Sequence, residues 1–236
     1  MSLQKPPGGG YWKVAHRGAS ALAPENSLAA LEAALAAQVD IVELDVLAVE
    51  GALRLAHSAP QIRPDSPALG DALALFADTA PPHVWLDLDV KIPGHEPALI
   101  DEVGAHGLSG RTLVTSFHPE VLRAAKRIEP SLATGLAYPN DRYGLSERRP
   151  FEPFVGAGLR VLRGALPARI GRMLAAAGAE AAMLHHALVT PRVVVRCHAK
   201  GAAVFAWTLE TRDDLRRVLA AGADGAIAND PSLFDE

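Results

Sequence analysis

One cysteine, Cys197, is all the thiol chemistry this 236-residue chain contains, so no intramolecular disulfide can staple it. It falls in the run Val193-Val194-Val195-Arg196-Cys197-His198-Ala199, a helical pattern where a buried, inert thiol is expected rather than a nucleophile. Aromatic residues are also scarce, at 5%, so packing must rest on Leu, Val and Ala. There is no excess of basic charge. The formal net charge is −4, which argues against a nucleic-acid partner, because such binders show a basic patch or stripe. No apolar run reaches the roughly 20 residues of a membrane span, and Met1–Gly10 has no apolar core of a secretory signal. The expectation is a cytoplasmic, soluble protein without stable membrane insertion. Also missing are a Gly-x-Ser-x-Gly elbow, a phosphate-binding P-loop and a Gly-x-Gly-x-x-Gly turn, which weighs against serine-hydrolase, nucleotidase and dinucleotide chemistry.

What is present is a regular alternation. Short β-like runs near 13–16, 41–46, 84–90, 112–115, 132–136, 180–184, 203–207 and 224–228 alternate with helical patterns near 26–37, 67–79, 96–106, 119–128, 167–177, 191–200 and 211–221. Strands alternating with helices predict βαβ units and a parallel sheet, and eight of them suit a closed TIM-type (β/α) barrel. Helix ends are marked: Asn26 or Ser27 can cap the first helix, Thr190-Pro191 opens another, and Thr211 with Asp214 resembles a capping box closed by Gly222. We read residues 1–10 as a flexible N-terminal segment and 11–236 as one barrel domain. Residues 138–166, with Pro139, Pro150, Pro153 and many charges, read as a loop or short lid.

Leu53–His57 is a ninth β-like piece. Only eleven residues separate Asp45 from His57, too few for a parallel crossover. A hairpin turning at Glu50-Gly51, after the second strand, would set the two nearly opposite each other on one face.

The polar residues at the strand ends suggest chemistry. Glu43 and Asp45 are two apart and share a strand face, as do Asp87, Asp89 and Lys91. Alone, Glu43 and Asp45 read more simply as a solvated or Arg/Lys-paired face. Together with Asp89 they would form a costly like-charge cluster unless a cation or protons relieved it, and oxygen-only ligands favour Mg²⁺ or Ca²⁺ over zinc. His16 and Arg17 follow the first strand, offering a titratable imidazole and a phosphate-binding guanidinium. Lys91 is either a phosphate contact or a salt-bridge partner of the aspartates. His83, His95, His106 and His198 are assigned to surface or packing. His118, His185 and His186 fit the mouth without chemistry, and Trp207 is either a core aromatic or a ligand-contacting wall.

The ordered strings Val14-Ala15-His16-Arg17-Gly18, Pro24-Glu25-Asn26-Ser27, Val42-Glu43-Leu44-Asp45-Val46, Leu55-Ala56-His57, Leu86-Asp87-Leu88-Asp89-Val90-Lys91, Thr115-Ser116-Phe117 and Ala206-Trp207-Thr208 resemble the glycerophosphodiester phosphodiesterase family. So do Gly222-Ala223-Asp224-Gly225 and Asn229-Asp230-Pro231 near the end. The resemblance implies a TIM-type barrel that hydrolyses a small-molecule phosphodiester to an alcohol and glycerol 3-phosphate with a divalent cation. By the family pattern His16 and His57 are catalytic, Glu43, Asp45 and Asp89 hold the metal, Arg17 and Lys91 contact phosphate, and Trp207 lines the site. It does not divide acid from base between the histidines, or choose water over the glycerol 2-hydroxyl as nucleophile. Head group and oligomeric state stay open. Three positions depart from the pattern: Ser58 replaces an Asp after the second His, Asp89 a Glu, and Glu210 an Asn. Two rival readings are a lysophospholipase D-type enzyme for lipid substrates and a catalytically silent barrel that binds a phosphate-bearing ligand.

Overall fold

A computed structural model describes residues 3–4, 9–63, 65–140 and 152–235, without the side chains of 152–155. Nine strands are present: β1 (Trp12–Ala15), β2 (Ile41–Val49), β3 (Ala52–Leu55), β4 (Trp85–Val90), β5 (Thr112–Ser116), β6 (Ala133–Tyr138), β7 (Ala181–His185), β8 (Ala203–Leu209) and β9 (Gly225–Ala228). Between them lie α1 (Leu28–Ala36), α2 (Leu69–Thr79), α3 (Glu96–Ala105), α4 (Pro119–Ile128), α5 (Glu152–Ala177), α6 (Pro191–His198) and α7 (Arg212–Ala220). Eight strands run parallel and close through pairing of β1 with both β2 and β9. This is the TIM-type barrel, and among the described residues no helix is long and apolar enough to cross a membrane.

β3 is the exception, antiparallel to β2 with Val46 opposite Leu55. Glu50 (φ 50°) and Gly51 (φ 83°) turn the hairpin, the two positive-φ residues that a tight two-residue connection needs. In this register Ala56, rather than His57, stands opposite Asp45, and the Ala56 amide donates to the Asp45 carbonyl at 3.2 Å. His57 follows just beyond the ladder.

Helix starts obey their local signals. Ser27 caps α1 by accepting from the Ala30 amide, Thr190 caps α6 before Pro191, and Thr211 caps α7 through the Asp214 amide. Asn26 is not the cap; it has a different task, described below. The expectation of a loop or lid over 138–166 is corrected for its second half. α5 begins at Glu152 and runs through Pro167, with Leu159, Leu162 and Leu166 turned toward the core. Their 3–4 spacing is helical, but Gly156, Gly158, Gly164 and the internal Pro167 lower the propensity of this stretch, and packing overrides it. Residues 141–151 of that expectation lie outside the described residues, as do 1, 2 and 5–8 of the expected N-terminal segment. Leu3 is buried, and its carbonyl accepts from the Trp12 indole at 2.8 Å.

The core has two shells. Leu, Val and Ala from the outer strand faces pack against the helices. Inside the barrel, Trp12, Val14, Ile41, Trp85, Leu113, Met183, Phe205 and Ile227 plug the lower part. Parallel pairing stacks β2 and β4 in layers: Ile41 beside Trp85, then Glu43 beside Asp87, then Asp45 beside Asp89. The interior therefore changes from apolar to acidic toward the C-terminal strand ends, where barrel sites form.

Gly18 ties the first loop to this frame. Its amide donates to the Glu43 carbonyl at 2.7 Å, and its φ is +77°. A Cβ there would lie 2.6 Å from the Ala30 Cβ. Gly18→Ala combines left-handed strain with overpacking, so urea denaturation should register a loss of about 2–5 kcal/mol.

Candidate active site

A cavity of about 110 Å³ opens at the C-terminal strand ends, lined on one side by His16, Arg17, Glu43, His57, Asp89 and Lys91. Phe117, Met183, Trp207 and Ile227 supply much of its apolar lining. All eight residues to which sequence analysis assigned roles meet at or beneath this one pocket. Asp45 is fully buried behind the lining.

The two imidazoles are held alike. Ala15 pairs with Ala228 across the β1–β9 seam, so the next residues, His16 and Asn229, face each other. His16 Nδ1 lies 2.7 Å from Asn229 Oδ1, an oxygen that also accepts from the Ser20 hydroxyl at 3.1 Å. An amide oxygen can only accept, so Nδ1 carries the hydrogen and Nε2 is left for the pocket, 4.0 Å from Glu43. His57 Nδ1 lies 3.1 Å from Asp45 Oδ2, again leaving Nε2. This answers the first departure. Ser58 instead donates to Gln61, and the carboxylate that orients His57 comes from β2.

Asp45 is the hub. Asn26, in the left-handed region at φ 56°, donates through Nδ2 to Asp45 Oδ2 at 2.9 Å and accepts from the Asp45 amide at 2.9 Å. Arg17 Nε lies 3.1 Å from the same oxygen, and Lys91 Nζ 2.5 Å from the other. Lys91 also pairs with Asp89. Arg17 sits at φ 54°, a strained conformation held by its amide's 2.6 Å bond to Glu43 Oε2 and by Glu25, 2.7 Å from Nη1. Asn26, Asn229 and Glu25 are positioning residues that sequence reasoning named only as a cap or as parts of strings.

Four acids share this space with two permanent cations. Burial, then the neighbouring Asp45 charge, raises the Glu43 carboxyl well above its usual range. Burial lifts Asp87 well above it too, against the Thr115 hydroxyl that donates to it at 2.8 Å. Asp89 is raised by burial against the pull of Lys91. Asp45 goes the other way: burial is outweighed by Lys91, His57 and Arg17, which hold it well below the usual range. Burial alone would lower Lys91, but Asp89, Asp45 and Glu43 hold it charged. Desolvation, with Arg17 adjacent, lowers His16 to about 4, so it is neutral near pH 7.

Glu43, Asp45 and Asp89 each offer an oxygen, all within 4.8 Å of one another. Asp89 Oδ1 is buried without a hydrogen-bond partner, as is Trp207 Nε1. A crowded all-oxygen set in which burial raises Glu43 and Asp89 fits a hard divalent cation. The shorter side chain of Asp89 still reaches the cluster. Glu210 is exposed, away from the pocket lining.

His118, His185 and His186, expected at the mouth, are not among the residues lining the pocket. His185 lies in register beside Trp207 and meets its ring edge-on at 5.4 Å. Burial, then the adjacent His186, lowers it to about 4. Between pH 6.5 and 4 the unfolded chain gains a proton at His185 that the folded chain refuses. Its contribution is thus complete above about 6.5 and lost as pH falls toward 4. His185→Gln, which keeps an acceptor for the Ala187 amide, should give a shallower fall in Tm over that window. Cys197 is buried in α6, its thiol pushed up to about 12 by burial, an inert packing group.

The family model of the glycerophosphoryl diester phosphodiesterases matches residues 16–49 and 94–233, which include His16, Glu43 and Asp45 and pass over the hairpin and β4. A glycerophosphodiester phosphodiesterase of Caldanaerobacter subterraneus is 26% identical, over 94% of this chain and 95% of its own length. Among solved structures, an Oleispira antarctica phosphodiesterase in complex with the product sn-glycerol-3-phosphate superposes with TM-score 0.74 at 20% identity, covering 95% of this chain and 97% of that one. A glycerophosphodiester phosphodiesterase from Agrobacterium tumefaciens gives TM-score 0.71 at 17% identity, covering 95% and 99%. Barrel, layered acids and paired histidines thus coincide with a family match over most of the sequence: the chain belongs to the glycerophosphoryl diester phosphodiesterase family and is an enzyme of that class.

Proposed function

We propose that the barrel mouth hydrolyses glycerophosphodiesters to an alcohol and glycerol 3-phosphate, with His16 and His57 as the proton-transfer pair. The observation that carries this reading is the matched support of the two imidazoles, each held at Nδ1 and each lining one small pocket. Its neighbour in fold from Oleispira antarctica, bound to sn-glycerol-3-phosphate, supports the product side.

The supports favour a division of roles. His57 is bonded to a carboxylate, a support suited to a proton donor; His16 is bonded to a neutral amide and is neutral. His16 accordingly accepts the nucleophile's proton, and His57 delivers one to the leaving alkoxide as the P–O bond breaks. Water or the neighbouring glycerol hydroxyl can attack, since both routes use the same base and acid. Arg17 and Lys91 donate to the phosphate oxygens, and these bonds strengthen as charge accumulates in the transition state. Trp207 bounds the glycerol and directs an otherwise unpartnered indole N–H toward it. Glu43, Asp45 and Asp89 would hold Mg²⁺ or Ca²⁺, which supplies a Lewis acid to neutralise the phosphate.

The test is an activity matrix of metals against substrates. Turnover of glycerophosphodiesters with Mg²⁺ or Ca²⁺, abolished by chelation, is the expected result. No turnover in any combination would leave only the silent binding barrel. The apolar wall of Phe117, Met183 and Trp207 makes a lysophospholipid the second substrate to include; preference for it would establish the lipid-directed reading.

A further inference from the structure

His57 lines two cavities. Beyond it, on the side away from the barrel interior, lies a second and larger one of about 340 Å³. Its walls come from the β1–α1 loop at Glu25 and Ser27, and from the turn after β3 at Gln61, Arg63, Asp65 and Ser66. The inner cavity has room for little beyond the phosphate and a three-carbon chain. A diester has a second arm, and that arm begins at the oxygen which His57 protonates in the mechanism above.

We propose that this outer cavity receives the alcohol head group and selects for groups that donate hydrogen bonds, a primary ammonium or a polyol, over a quaternary ammonium. The inference deepens the phosphodiesterase reading and rests on it for the placement of the phosphate. Three features of the cavity argue for it. The Glu25 carboxylate, with Arg17 and Gln61 as its partners, links the wall of the outer cavity to the guanidinium at the phosphate. The Asp65 carboxylate and Arg63 guanidinium are exposed and make no ion pair among the described residues. Among the described residues no aromatic side chain lines the cavity, so the ring faces that bind a quaternary ammonium are missing, whereas carboxylate, amide and hydroxyl acceptors are at hand. In the bond-breaking step the head-group oxygen leaves phosphorus and takes the proton from His57, and the alcohol is released from the outer cavity while phosphate stays on glycerol.

Ser66→Trp fills the outer cavity without touching the inner one. In a His16→Ala background, which slows turnover of the substrate, calorimetric titration should show glycerophosphoethanolamine bound at least tenfold more weakly after Ser66→Trp. Glycerol 3-phosphate, which has no head group, should bind within twofold of its former affinity. Equal weakening of both ligands, or of neither, would overturn the assignment. Asp65→Asn should weaken glycerophosphoethanolamine about three- to fivefold, the scale of an exposed charge pair, and glycerophosphocholine less; the reverse order would overturn the proposed selectivity. If the wild type turned over no diester while Ser66→Trp still separated diester from product, the catalytic reading would fall and the head-group cavity would stand.

Discussion

His16→Ala and His57→Ala should each lower kcat by about 10²–10⁴, the range for loss of one general acid or base. The double variant should be little worse than either single one. Two groups that serve one proton-transfer cycle act as a unit, so their losses do not add. The two sites differ in a way that kinetics can read. His57→Ala removes the donor to the leaving group, so a substrate with a good leaving group, such as a nitrophenyl ester of glycerol phosphate, should recover much of the lost rate. His16→Ala should show no such recovery. Both proteins should melt within a few degrees of the wild type, because His57 is half-buried at the rim and His16 contributes a single bond to Asn229. Near-normal turnover in both single variants would dismiss the histidine pair, and equal rescue of both would reverse the division of roles.

Glu43→Gln should separate stability from function, with opposite signs. In metal-free protein at pH 7.5 the buried Glu43 carboxylate is crowded by Asp45 and Asp89. An isosteric amide removes that charge and still leaves an oxygen for the Arg17 amide. The metal-free variant should be more stable than wild type by about 1–3 kcal/mol, the scale on which removal of an unfavourable buried charge is felt. The same variant should lose most of the increase in Tm that Mg²⁺ or Ca²⁺ gives the wild type, together with orders of magnitude in turnover. Protons and cation compete for Glu43 and Asp89, both raised above the usual carboxylate range. The metal-induced increase in Tm in wild type should therefore grow as pH rises from about 5 toward 8. An increase in Tm that is unchanged in Glu43→Gln, or one that shrinks with rising pH, would show that the acid cluster does not hold the ion.

These outcomes turn on positions that were legible to different degrees. The strand–helix alternation fixed the number of barrel strands because period-2 and period-3.6 patterns are local properties of the chain. The hairpin was legible too, since eleven residues cannot accommodate a crossover. Glu43 with Asp45, and Asp87 with Asp89, were legible as shared strand faces, because alternation sets them without reference to any neighbour. What those faces meet was not legible. Asp45 as the anchor of His57, in place of the expected residue at Ser58, depends on how β3 lies against β2, one residue out of the simplest register.

Asn229 shows the limit most plainly. It stands 213 positions from His16, and no periodicity links the two; they become neighbours because the last strand closes on the first. The β1–α1 loop places Asn26 on Asp45 and Glu25 on Arg17, through left-handed residues that carry no strong local signature. The first half of α5 was misread for a related reason: glycine and proline speak against a helix locally, and only the core surface beneath Leu159 and Leu162 decides for it. Sequence by itself determined the strands, their inward faces and the chemical types at the barrel mouth, because those follow from covalent order and side-chain alternation. Tertiary structure alone decided which acceptor holds each imidazole, which acids are pushed above or below the usual carboxylate range and where a second cavity opens beside His57, because each of these depends on through-space distance and on water excluded by residues far away in the chain.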